Sequence, residues 1–246
     1  MSDPKDDIYD PAFVANLFDR CSRSYRRWSA ISSFGFIALW RRQCVGRLAT
    51  PQNTQPVVVD LMAGTGEVWP YLLRRFPDLE TITALDISHR MHVDAVARLH
   101  GAYAERITHV EADALKTDLE ANYADLLVST FGLKTFNAEQ QALLARQIAR
   151  IVKPGGSFAL IEASDPKGWM LRPVYRFYLD RVLPLVERYL LRGANDFSMI
   201  GTYTRNFGDC DQMAIALREA GLSVEVKKHF FGCATSVAGT KPTEHG

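Results

Sequence analysis

This 246-residue chain is sparing with the features that mark specialised protein classes. Its four cysteines, Cys21, Cys44, Cys210 and Cys233, contain no C-x-x-C pair, so they read as free thiols in a reducing compartment and not as a zinc site or disulfide framework. No apolar run approaches the ~20 residues needed to span a bilayer. The opening MSDPKDDIYD is acidic and polar and does not resemble a secretory signal, so the expected compartment is the cytoplasm; a visit to a membrane surface is left open. A net charge of +1 offers no bulk attraction for a polyanion, and no N/D-P-P-Y/F signature supports a nucleic-acid substrate. Repeats, low-complexity tracts and clustered metal ligands are absent, so no metal is expected. What remains is an ordinary globular composition, 47% hydrophobic and 23% charged.

Against that background Val57–Val68, VVVDLMAGTGEV, stands out. Three β-branched residues run into Asp60, a Gly-rich turn follows, and Glu67 is expected to open a helix. A second apolar run, Ile82–Ile87, ends on Asp86. In an open α/β sheet, ligands bind outside the carboxyl ends of the strands, where the first turn must let backbone approach closely. Gly64 and Gly66 suit that approach because they lack Cβ and tolerate positive φ. A dinucleotide would want G-x-G-x-x-G and helix amides facing its pyrophosphate. Here the third glycine is missing, and Asp60 and Glu67 bring negative charge to that place. A ligand with a sulfonium and an α-ammonium fits better, so the expected cofactor is S-adenosylmethionine.

Later elements agree. Asp86 is placed to accept both ribose hydroxyls. Thr108–Leu115 puts Asp113 just past a third strand, within reach of an adenine amino group. Met62, Ala63, Thr65, Ile87, Met91 and Ala114 complete the expected nucleoside site. Tyr123–Phe131 reads as a fourth strand ending at Ser129 and Thr130, where methyl donor would meet acceptor. Ala138–Val152 is amphipathic with Leu143, Leu144, Ile148 and Ile151 at helical spacing; a Lys153-Pro154-Gly155-Gly156 turn then leads to a fifth strand, Ser157–Ala163.

The expected fold is therefore α/β: a Rossmann-like, seven-stranded, mostly parallel sheet with a C-terminal antiparallel hairpin and a helical lid insertion. Residues 1–55 form an N-terminal helical cap, with residues before Ile8 disordered and helices at Ala12–Arg20 and Phe36–Leu48. Between these, SRSYRRWSAISSFG reads either as a solvated connector or as a segment folding over the cofactor, with Tyr25 donating to its carboxylate. Residues 56–164 form the cofactor core, and 165–208 a lid carrying Trp169, Tyr175, Phe177 and Tyr178 among arginines. Residues 209–246 add a helix, Asp209–Ala220, and a hairpin of Val224–His229 and Ala234–Thr240.

At the level of motifs the chain resembles the ubiquinone/menaquinone biosynthesis C-methyltransferase family over nearly its whole length. Ser32–Arg42, SSFGFIALWRR, is similar to that family's S-x-G-x-x-x-x-W-R/K element. Ser129–Phe136, STFGLKTF, is similar to S-F-G-L-R-N-V, and Val152–Pro166 to L-K-P-G-G…E-F-S-x-P. Phe177–Pro184 and Thr202–Met213 match Y-x-x-x-V-L-P and S-I-R-x-F-P-D-Q. Three stretches depart: Tyr25-Arg26-Arg27-Trp28-Ser29 replaces Y-D-x-x-N, Lys134-Thr135-Phe136 replaces R-N-V, and Phe197-Ser198-Met199-Ile200 replaces Y-R-Y-L. All three border the implied acceptor site.

The resemblance implies methylation of a hydrophobic aromatic, quinol-like or isoprenoid-type small molecule, with carbon as the leading target and oxygen or nitrogen as alternatives. A protein that binds the cofactor without methylating is a third reading. Phe34, Lys134, Tyr178 and Phe197 are the expected acceptor contacts. Arg205, at the S-I-R arginine, would stabilise a phenolate or else pin the lid. Tyr203, Asp209 and His229 are the other polar groups expected near the mouth, His229 as a candidate base. The residues leave open whether the chain forms a homodimer.

Overall fold

The computed structural model describes residues 8–98, 104–185 and 198–243. Its sheet has seven strands in the order β3-β2-β1-β4-β5-β7-β6. These are β1 Val57–Leu61, β2 Thr81–Asp86, β3 Ile107–Glu111, β4 Ala124–Thr130, β5 Val152–Ala163, β6 Ser223–His229 and β7 Ala234–Thr240. All neighbouring pairs are parallel except those made by β7, which runs antiparallel to both β5 and β6. This is the expected mostly parallel sheet with its reversed hairpin. The order reverses between β1 and β4, the point at which an open α/β sheet offers a crevice for a ligand.

Strand alternation feeds two hydrophobic layers. Val58 joins a cluster beneath helices α2 (Phe36–Val45) and α3 (Trp69–Arg75), with Trp40, Cys44, Trp69 and Leu72. Its neighbour Val59 faces the opposite cluster, under α5 (Ala138–Ile151) and α8 (Asp211–Glu219), with Leu144, Ile148, Met213 and Leu217. Helix α5 begins at a reciprocal cap: Asn137 accepts from the Gln140 amide while the Gln140 side chain accepts from the Asn137 amide. All four cysteines are buried.

Helix α1 is longer than its first apolar stretch indicates, running unbroken from Pro11 to Ser32. The arginine- and serine-rich segment, read either as a connector or as a fold over the cofactor, belongs to this helix as far as Ser32, because every third or fourth residue (Cys21, Tyr25, Trp28) is apolar and buried. Asp10 caps its start by accepting from the amides of Ala12 and Phe13. Asp19 accepts from Ser88 Oγ at 2.6 Å and the Arg90 amide at 3.1 Å, tying α1 to the start of α4 (His89–Arg98).

Other boundaries also differ from the sequence reading. The helix after the glycine turn begins at Trp69, not Glu67, whose side chain is engaged in ion pairs. Strand β5 begins at Val152: the Lys-Pro-Gly-Gly stretch is a bulge across which pairing jumps from Ala124↔Val152 to Leu126↔Ser157. The insertion after β5 forms α6 (Arg172–Phe177), continues as a wider π-helical turn over Tyr178–Val182, and is followed later by α7 (Ser198–Phe207). The expectation for the residues before Ile8 lies outside the described residues.

Candidate functional site

Two adjoining spaces open at the carboxyl ends of the strands. The first, a cleft, lies over β1, β2 and β4 and is roofed by the N-terminal half of α1 through Val14 and Phe18. The second lies between α1, α2, α6 and the Phe230–Cys233 turn. Tyr25 and Phe131 line both, forming the wall between them.

The cleft is polar at its floor. Asp86 receives two backbone N–H bonds, from Gly64 at 2.7 Å and Ser88 at 2.8 Å, so its carboxylate holds the glycine turn against the end of β2. Burial nevertheless pushes its pKa up, since the two amides offset only part of the desolvation. Gly64 sits at φ +57, and a Cβ built there would meet no protein atom within 4 Å: the space above it is open. Of the other expected cofactor residues, Met62, Ala63, Ile87, Met91, Asp113, Ala114 and Thr130 line the cleft, as does Tyr25.

Asp60, Thr65 and Gly66 do not line it. Asp60 lies buried below the turn, where its Oδ2 accepts from Trp69 Nε1 at 2.8 Å while Oδ1 has no partner among the described residues. Desolvation, reinforced by Asp86 and Glu67, lifts its pKa to about 8. The Thr65 hydroxyl bonds Glu67, and its carbonyl accepts from Arg98 at 2.6 Å. Gly66 serves packing: a Cβ would stand 2.4 Å from the Trp69 ring. All three support the turn from behind.

Glu67 lines the cleft, bringing its charge to the place that the sequence indicated, and Arg41 lines it although sequence reasoning did not place it there. Arg41 is the one cation among its described lining residues; it lies 5.4 Å from the Phe131 ring centroid and 3.8 Å from Glu67, and its Nε has no partner among the described residues. The W-R-R element carried the signal for Arg41, but only tertiary packing brings α2 over the cleft.

The second space is apolar. Trp28, Trp40, Trp169, Tyr175 and Phe230 supply much of its wall, together with the expected acceptor residues Phe34 and Tyr178. Phe34 and Tyr178 lie 5.2 Å apart between centroids, and Tyr178 donates to the Ser32 carbonyl at 2.9 Å. Lys134 is its one charged lining residue; Nζ donates to Glu162 Oε1 at 2.8 Å and to the Phe131 carbonyl at 2.7 Å. Glu162 is wholly buried and also accepts from the Lys134 amide, so the motif residue on β5 fixes the loop after β4. Phe197 lies outside the described residues.

The three expected catalytic side chains stand elsewhere. Arg205 pairs with Asp180 of the π-helical turn and donates to Thr202 Oγ1 at 3.1 Å; it lines neither space, consistent with holding the insertion. Tyr203 is fully buried among Leu17, Cys21 and Trp28, its hydroxyl donating to the Ile8 carbonyl. His229 bonds Ser236 Oγ at 2.7 Å within the β6–β7 pair, and burial lowers its pKa to about 4, which keeps it neutral and structural. Asp209 faces Lys167 at 3.6 Å and lines neither space. Buried Ser129 has an Oγ without a partner among the described residues, while its neighbour Thr130 reaches the cleft. No cluster of metal-ligating side chains occurs among the described residues.

Residues 5–241 match the ubiE/COQ5 methyltransferase family. A demethylmenaquinone methyltransferase of Lactiplantibacillus plantarum is 29% identical over 230 residues, covering 93% of this chain and 95% of that protein. The mitochondrial 2-methoxy-6-polyprenyl-1,4-benzoquinol methylase of Caenorhabditis elegans is 28% identical over 93% of this chain and 80% of its own. Among solved structures, human N-acetylserotonin methyltransferase in complex with SAM shares the fold, with a TM-score of 0.60 at 20% identity over 92% of this chain and 59% of that one.

Proposed function

The chain belongs to the ubiE/COQ5 methyltransferase family, and from that premise we propose that it moves a methyl group from S-adenosylmethionine to a ring carbon of a hydrophobic, quinol-like acceptor. The observation that carries this reading is the pair of adjoining spaces, one polar and acidic, the other almost wholly apolar, meeting at Tyr25 and Phe131. The two relatives described above are named for quinol and menaquinone precursors, which an aromatic-lined chamber suits.

The cleft fits the cofactor by charge. Glu67, Asp86 and Asp113 offer carboxylates to a cationic nucleoside ligand with ribose and adenine hydrogen-bond donors. Arg41, with its unpartnered Nε, is the group to hold an amino-acid carboxylate. The open space over Gly64 is what a closely approaching ligand requires. When bound, S-adenosylmethionine supplies an electrophilic methyl group.

The protein's own work is then alignment and charge. Transfer needs the acceptor carbon held in line in a site from which water is excluded, and the aromatic walls of the chamber do that. An aromatic carbon becomes nucleophilic as its neighbouring hydroxyl gains phenolate character. The chamber's described walls hold no carboxylate or imidazole to take that proton. Lys134 instead brings a positive charge to stabilise the phenolate, with two of its three N–H bonds committed to Glu162 and Phe131 and one left for an acceptor oxygen. The hydroxyl proton goes to solvent, and the ring proton that the methyl group replaces returns to that oxygen as S-adenosylhomocysteine leaves. Burial raises the pKa of Tyr25, so its hydroxyl stays protonated and serves as a donor at the junction. The N-terminal cap, core, insertion and closing hairpin take their division of labour from this reading.

Incubation of the purified chain with methyl-labelled S-adenosylmethionine and a reduced, short-tailed demethylmenaquinol tests it. The expected product carries the label on a ring carbon. Label on oxygen, or no turnover of any quinol alongside normal cofactor binding, would overturn the acceptor assignment.

A further inference from the structure

The outer rim of the apolar chamber is unusually greasy for a water-exposed surface. Phe34 is 75% exposed, Phe231 67% and Met170 88%, and Leu171, Val174, Phe177 and Phe230 are also exposed. They form one patch. Phe230 lies 4.5 Å from Phe36 and 6.1 Å from Trp169, Phe231 stacks flat on Trp169 at 5.3 Å, and Phe34 rests on Tyr178 next to Phe177. Contiguous exposed patches of this kind mark interaction surfaces.

The backbone is bent to present them. Six non-glycine residues among those described have positive φ, a conformation disfavoured for bulky side chains. Four are phenylalanines: Phe34, Phe131, Phe230 and Phe231. Phe34, Phe131 and Phe230 line the chamber, and Phe231 stacks on its rim. Consecutive left-handed phenylalanines at Phe230–Phe231 turn two rings outward where a glycine pair would relieve the strain. Strained backbone of this sort clusters at sites of function.

Charge selects the occupant. Between Asp19 and Asp60 the chain has seven arginines and no acidic residue, although the whole protein carries only +1. That stretch contains Phe34, and its Arg23, Arg26, Arg27 and Arg42 are exposed. Lys167 and Arg176 flank Met170, Val174 and Phe177 on the insertion, and Lys228 precedes Phe230. Protruding aromatics set among exposed cations match an anionic lipid surface, where rings enter the acyl boundary and cations meet headgroups. No helix of the described residues is long and apolar enough to cross a membrane, so contact of this kind is by one face only.

We propose that the chamber's rim, built from Phe34, Met170, Phe177, Phe230 and Phe231, with exposed Lys167, Arg176 and Lys228 close to them in sequence and the exposed arginines of α1 and α2 on either side of Phe34 in the chain, docks on an anionic lipid bilayer and opens the chamber directly towards it. An acceptor dissolved in the membrane then enters without crossing water. The docking surface is argued from exposure, strain and charge, so it stands apart from the identity of the acceptor.

Co-sedimentation of the full chain with vesicles, without cofactor or acceptor, tests it. Vesicles of phosphatidylcholine alone are compared with vesicles also containing phosphatidylglycerol. Binding is expected to the mixed vesicles, weaker binding to the neutral ones, and a loss of that difference as salt is raised. Met170→Ser, Phe177→Ser and Phe231→Ser together should lower partitioning about tenfold or more. Arg26→Gln with Arg27→Gln should lower binding to the anionic vesicles alone. Thermal melts of each variant show whether the fold is intact. An unbound parent protein, or a folded triple variant that binds as well as the parent, would overturn the proposal. So would a parent dimer that the triple substitution converts to monomer without any vesicle binding, since the patch would then be a contact between copies.

Discussion

Lys134 and Glu162 form a 2.8 Å ion pair in which both side chains are almost completely withdrawn from water. It joins the loop after β4 to the end of β5 and brings a single ammonium to the wall of an otherwise apolar chamber. A buried pair of this sort is costly to break from one side, because the remaining charge keeps its desolvation penalty.

Lys134→Met should therefore destabilise the protein by about 3–5 kcal/mol by leaving Glu162 buried and uncompensated. Adding Glu162→Gln should recover a large part of that loss. Urea denaturation of the two single variants and the double variant measures the coupling. Additive losses would mean that the pair is energetically inert.

Asp86→Ala removes an acceptor from the cleft and two supports, at the amides of Gly64 and Ser88. Affinity for S-adenosylmethionine should fall by about 1.5–3 kcal/mol, the range for hydrogen bonds to charged groups. Calorimetric titration of the folded variant gives the value, and unchanged affinity would displace Asp86 from the ribose role.

Asp60 has a folded pKa of about 8 against an ordinary value of 3.8, so between these limits the folded state holds a proton that the unfolded state has released. Its contribution to stability is full below pH 3.8 and is lost progressively as pH rises towards 8. Asp60→Asn abolishes this dependence while keeping an oxygen for Trp69. Relative to the parent, the variant should gain stability between pH 5 and pH 8, by about 1 kcal/mol or more, a rise in Tm of roughly 2–4 °C for a domain of this size. Melting curves at the two pH values decide it; a constant difference would mean that Asp60 is ionised throughout.

Arg205→Ala removes a half-exposed ion pair to Asp180 and a bond to Thr202. Such pairs contribute about 0–1 kcal/mol, so stability should fall only slightly. The single-turnover rate at saturating acceptor should stay within about threefold of the parent, because the guanidinium lines neither space. A fall of roughly 10²–10³ would restore a charge-stabilising role in the transition state.

Local features were the legible ones. The spacing from Gly64 to Asp86 reports a strand–turn–helix–strand unit whose ligand-facing residues lie at strand ends, and the structure joins the two by a hydrogen bond. The sheet order follows from the same alternation. Asp60 and Gly66 show the limit: their positions in the motif are right, but whether a side chain at a strand end faces ligand or core depends on Trp69, which fills the space behind the turn. Arg41 and Glu162 were missed as site residues because each is delivered by an element distant in sequence. Arg205, Tyr203 and His229 were misplaced for a related reason. A polar residue near an apolar run does not disclose its partner, and theirs are Asp180, the Ile8 carbonyl and Ser236.

The position of β7 has a bearing on biosynthesis. Among the described residues it follows every other strand, yet it lies inside the sheet, with β5 on one side and β6 on the other. Until Ala234–Thr240 has left the ribosome, β5 presents an open edge and β6 has no strand beside it. The nucleotide half is made early, but its sheet cannot be sealed until Ala234–Thr240 has been made. A nascent chain halted before Ala234 thus offers two unpaired edges at once, a state in which edge-to-edge association competes with folding.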